Sequence, residues 1–137
     1  MLNLLTFTEI GSTQTLQQRL DSLTILRAVL DNQDKIAALQ FGYDNGDFFI
    51  IRPLNSTHMR QTFKAPDAAD LVVDHVSTDA NGKRHLLRIF FNDELQEVAR
   101  NEAFPTEYDP RNRSWYLSGP WLRSRLRSVL GVRSPFD

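Results

Sequence analysis

Tyr108, Arg113, Trp115 and Tyr116 carry the densest chemistry in this chain, within the segment Tyr108-Asp109-Pro110-Arg111-Asn112-Arg113-Ser114-Trp115-Tyr116. A guanidinium beside indole and phenol rings makes a receptor for a small carboxylate. Arginine offers a bidentate fork, and the rings exclude water around it. The same residues also fit a plainer purpose, a cation–π contact that fixes a short helix to the core. Sequence alone leaves both readings open. Asp109 is placed to cap such a helix, and Pro110 suits its first turn because the missing N–H would have had no partner there. The pattern predicts a helix over 111–117 with Arg113 about one turn inside it. A half-solvated arginine there takes an outside anion as its natural partner, because burying an unpaired cation is costly.

Other chemistries find little support. His58, His75 and His85 are scattered without metal-ligand spacing, and the chain has no cysteine. No nucleophile elbow, phosphate-binding loop or dinucleotide fingerprint occurs. The expectation is therefore a binding module that is not an enzyme and uses no cofactor or metal. A small hydrolase assembled from Asp and His side chains is the enzymatic alternative. A formal net charge of −1 gives no electrostatic reason to expect nucleic acid. The arginines between Trp121 and Arg133 read as the solvated side of an amphipathic helix rather than as a nucleic-acid or lipid surface.

The elements that must position these residues follow from periodicity and turn chemistry. A hydrophobic content of 41% with 24% charged residues is that of an ordinary globular domain, and 137 residues suit one core. Residues 2–10 look like the tail of a helix stopped by Gly11. Leu16, Leu20, Leu23, Leu26 and Leu30 recur at helical spacing, which predicts one long helix over 12–32, capped by Ser12 or Thr13. Strands are predicted at 36–43 and 48–52, joined at Asn45-Gly46, and at 71–77 and 84–91, joined at Asn81-Gly82. Asn92-Asp93 marks a further turn before a strand near 95–99. Residues 55–67 read as loop with short helical pieces, and 121–130 as a last helix ended by Gly131. The fold class is α+β: an antiparallel sheet with a long N-terminal helix and short C-terminal helices.

The segment from Tyr108 to Tyr116 resembles the Asp-Pro-Arg-x-Arg-Pro-Trp-Tyr signature of the double Cache (dCache) sensor family, with Ser114 in place of the usual proline. Upstream, Phe41-Gly42-Tyr43-Asp44-Asn45-Gly46-Asp47-Phe48-Phe49 resembles the first hairpin of that family. The two motifs come in the family's order, and the resemblance runs from about residue 12 to 117. It implies a PAS-like module, 1–137, from the membrane-distal part of an extracytoplasmic (periplasmic) sensor. Such sensors occur in chemoreceptors, histidine kinases and receptors with cyclic-nucleotide or dinucleotide outputs. It also implies spanning helices in flanking sequence, a homodimeric arrangement, and ligand binding through Tyr108, Arg113, Trp115 and Tyr116. Amino-acid-binding members carry a later tyrosine and aspartates for the ligand's ammonium group. After Tyr116 this chain has no tyrosine, and its only side-chain carboxylate is Asp137. The resemblance thus implies a carboxylate grip without naming the ligand. A non-binding dimerisation module is the alternative within the same family.

Overall fold

The computed structural model describes residues 10, 13–32, 36–118, 121–122 and 126–132. Its centre is a single antiparallel sheet. Strands β1 (Ile36–Tyr43), β2 (Phe48–Pro53), β3 (Leu71–Thr78), β4 (Arg84–Phe91) and β5 (Glu97–Arg100) form a continuous meander. The short β6 (Phe104–Pro105) pairs with the start of β4, while β7 (Trp121–Leu122) and β8 (Leu126–Val132) extend the sheet beyond β1. Both expected hairpin turns are present, with Gly46 at φ +94 and Gly82 at φ +81, a region in which a Cβ would be strained. The α+β class stands.

Period-two alternation sorts the sheet into two faces. Leu39, Phe41, Tyr43, Phe49, Ile51, Leu71, Val73, Ile89 and Phe91 point one way and are buried under the N-terminal helices. Their partners are Leu23, Leu26, Val29 and Leu30 of one helical stripe, each contributing about 1.5–3 kcal/mol when fully buried. The other face carries Phe48, Ile50, Val72, Val76 and Phe90. It is covered at one end by α3 (Thr57–Thr62) and the loop after it, and at the other by the segment around Tyr108–Trp115.

Three expectations are corrected. The long N-terminal helix is two short ones, α1 (Leu16–Leu20) and α2 (Leu23–Asn32). Thr15 caps the first in a reciprocal capping box with Gln18, and the Ser22 N–H donates to the carbonyl of Arg19, three residues back, at the break. The leucine spacing continues across that break, so periodicity alone reads one helix. The predicted last helix over 121–130 is instead β7 and β8. Strand β8 pairs with the edge of β1 from Ile36↔Val132 to Tyr43↔Leu126, which supplies hydrogen-bond partners to backbone groups that the meander leaves unpaired. The helix over 111–117 is a 3₁₀ turn (Pro110–Asn112) followed by α4 (Ser114–Ser118), with Arg113 extended between them at φ −91, ψ 142. The helix tail over 2–9, its stop at Gly11 and the cap at Ser12 lie outside the described residues.

Candidate functional site

Asp109 caps as its type requires: its side chain accepts the Arg111 backbone N–H and holds the Arg111 guanidinium at 2.8 Å. These bonds, with the side-chain bond to Arg111 as the largest cause, keep the Asp109 carboxyl below its ordinary pKa. The capped turn is pressed onto the β1–β2 hairpin. A Cβ on Gly42 would lie 2.9 Å from Pro110 and 3.0 Å from both Trp115 and Tyr116, so only glycine lets the segment approach. Phe48 completes the contact, its ring 4.6 Å from Tyr108 and 6.2 Å from Trp115. The two sequence segments that carry the family resemblance are therefore in direct contact.

Within that contact, Tyr116 is buried edge-on to Trp115, while Trp115 and Tyr108 are half-buried. Burial raises the Tyr108 phenol above its ordinary pKa, against a hydrogen bond from the Trp115 side chain and the charges of Arg113 and Arg52. Arg113 departs from expectation. It is exposed rather than half-solvated in a concavity, with its guanidinium carbon 5.8 Å from the centre of the Tyr108 ring. The reason is the extended residue at 113. Arg113 does not continue a helix but begins one, its carbonyl accepting the Leu117 N–H at 3.0 Å, and its side chain leaves the packed side. No ion pair of Arg113 occurs among the described residues.

The concave site lies next to the motif rather than at Arg113. A cavity of about 390 Å³ separates the sheet from α3. Strand β1 contributes Ala37, Ala38 and Gln40, β2 contributes Ile50 and Arg52, and α3 with the residue after it contributes His58, Met59, Thr62 and Phe63. Ile50 and Ala38 also pack in the cluster that contains Tyr108 and Trp115, so the motif aromatics back one wall of the groove. Arg60 holds the other wall in place. Its guanidinium donates to the carbonyls of Leu54, Pro66, Asp67 and Ala69 at 2.7–3.3 Å and ties α3 to the loop that follows.

Below the groove, cross-strand register assembles a charged triad. Asp74 lies opposite Arg88 on β4 and diagonal to Arg52 on β2. Arg88 binds both carboxylate oxygens at 2.7 and 2.9 Å, and Arg52 reaches one of them at 3.1 Å. The Phe63 ring lies 5.0 Å from the Arg52 guanidinium and 4.7 Å from that of Arg88. Sequence reasoning missed this triad and Arg84, which straps the motif to the hairpin by donating to the carbonyls of Tyr108 and Gly46.

A second charged cluster lies under the N-terminal helices. Arg19 is 1% exposed and donates through one nitrogen to Asp47 and His75, both at 2.8 Å. It also donates to Thr13 and covers the Tyr43 ring at 3.8 Å. Because arginine only donates, His75 accepts through Nε2 and carries its proton on Nδ1. Desolvation, then the Arg19 charge, lower the His75 pKa from 6.5 to about 4, so the ring is neutral at pH 7. His58 lines the groove and His85 contacts Asp79, so the histidines stay apart in space as in sequence. Among the described residues, no helix is long and apolar enough to cross a membrane.

No family model matches the chain, and no solved structure matches it. It is 28% identical over 96 residues to adenylate cyclase 1 of Rhizobium meliloti (strain 1021), a match that covers 70% of this chain and 14% of that protein. The similarity is thus to one segment of a much longer signalling protein.

Proposed function

We propose that the chain is a small-ligand-sensing module of a signal-transduction receptor, carried on the extracytoplasmic side of the membrane by flanking sequence. The observation that carries this reading is the groove: a cavity of about 390 Å³ in which the polar side chains of Gln40, Arg52, His58 and Thr62 stand among apolar ones, backed by the Tyr108–Trp115 cluster. The likeness to a segment of an adenylate cyclase supports a signalling context, with a nucleotide-cyclase output as one candidate. In this reading Tyr108 and Trp115 shape one wall, Tyr116 holds Trp115 in place, and Arg113 stands above Tyr108 as an accessible positive charge that attracts anions. The module is not itself an enzyme, and it works as a dimer. Ligand binding biases two arrangements of the helices on the opposite face.

One observation favours a second reading, a structural module. The motif aromatics clamp the hairpin through Gly42, while Arg113 faces solvent, as packing alone would have it. A thermal-shift panel of amino acids, organic acids, amines and purines separates the two. A ligand at a hundred times its Kd stabilises by about 2.7 kcal/mol, a rise of several degrees in Tm. A panel that leaves Tm unmoved throughout contradicts sensing and leaves the structural module.

A further inference from the structure

On the reading that the groove binds a small ligand, its charges and walls define the class. Arg88 and Asp74 satisfy each other, since both carboxylate oxygens accept from Arg88. Arg52 gives Asp74 a single N–H, and its other donors have no acceptor among the described residues. Among the described residues, Arg52, and not Arg88, lines the cavity, and no carboxylate lines it. The triad therefore carries one uncompensated positive charge, and the residue bearing the spare donors is the one that borders the space. The side chain of Arg52 is 25% exposed, with the Phe63 ring on one side, so water screens it less than a surface cation. Gln40 adds an amide on the same floor, while Ile50, Met59 and Phe63 supply apolar walls.

We infer that the groove takes a small monocarboxylate with a compact apolar body. The carboxylate sits on Arg52 with Gln40 beside it, and the body lies against Ile50, Met59 and Phe63. A single uncompensated charge favours a monoanion over a dianion, and a planar fork favours a carboxylate. The volume suits a single ring or a branched aliphatic chain.

Isothermal titration calorimetry with phenylacetate and the neutral phenylacetamide tests this on the unaltered chain. The two probes share a body and differ in charge. Phenylacetate is expected to bind roughly ten- to a hundredfold more tightly, the margin of a hydrogen bond to a charged group. Arg52→Met is expected to erase that margin, and Arg113→Met to keep it. Equal affinity for acid and amide overturns the inference, as does an Arg52→Met chain that still prefers the acid. A margin lost in Arg113→Met instead places the anion at the motif, which overturns the role of Arg52 and leaves the sensing reading intact. Binding of neither probe overturns the monocarboxylate class, and a hit elsewhere in the thermal-shift panel then keeps the sensing reading alive.

Discussion

Arg19 lies under the N-terminal helices with 1% of its side chain exposed, whereas Arg52, on the opposite face of the same sheet, keeps 25%. The fold surrounds Arg19 with Asp47, His75, Thr13 and the Tyr43 ring. It gives Arg52 one shared bond to an aspartate already held by another arginine. A buried cation must be saturated because desolvation is costly and an unmade bond there cannot be repaired by water. A cation at the edge of a groove can keep donors in reserve. The first arrangement builds structure, and the second leaves donors for the proposed ligand.

The sharpest way to break this contrast is to remove each cation. Arg19→Met strands Asp47, which has little access to water, so urea denaturation is expected to show a loss of about 3–5 kcal/mol. Arg52→Met leaves Asp74 held by Arg88, and the same measurement is expected to show a loss below about 1 kcal/mol. Equal losses would mean that both clusters are structural.

Acid separates the two faces next. In the unfolded chain His75 takes up a proton near its ordinary 6.5, and in the folded chain only near 4. Between those values the unfolded state binds more protons, so stability falls as pH falls through this window, by up to about 3 kcal/mol. Denaturation curves across that range are expected to show the slope in the native sequence and a flatter one in His75→Gln. An unchanged slope in the variant would move the acid sensitivity to other groups.

Gly42→Ala probes the contact between the motif and the β1–β2 hairpin. Its Cβ would meet Pro110, Trp115 and Tyr116 at 2.9–3.0 Å, so the segment is pushed off the hairpin at a cost of about 1–3 kcal/mol. Near-ultraviolet circular dichroism is expected to report loosened Trp115 packing. An unaltered spectrum would show that the contact yields without strain. The smallest effect belongs to Arg113→Ala: an exposed side chain with no ion pair among the described residues is expected to change stability by less than about 0.5 kcal/mol.

Local chemistry explains which features were legible in the sequence. The hairpins at Asn45-Gly46 and Asn81-Gly82 could be read because positive φ restricts residue choice at the turn itself. The stripe of Leu23, Leu26 and Leu30 could be read because burial imposes its period. What escaped was set by distant partners. Arg19 occupies a position that reads as the polar side of a helix, yet Asp47 and His75 draw it inward. Strand β8 forms on a free sheet edge, a demand absent from its own seven residues. The aromatic motif is legible in its own residue types, but not the extended backbone that turns Arg113 outward. Arg52, Asp74 and Arg88 are unremarkable strand residues until register sets them side by side.

Arg52, on the sheet face opposite the N-terminal helices, is the proposed anchor of the ligand. Heteronuclear NMR titration with phenylacetate tests that role most directly. Saturable shifts are expected at the Arg52 side-chain Nε–H and at the Ile50 and Met59 amides, with the Arg19 and His75 signals unmoved. Shifts confined to Arg113 and its neighbours, or no saturable shift at all, would contradict it.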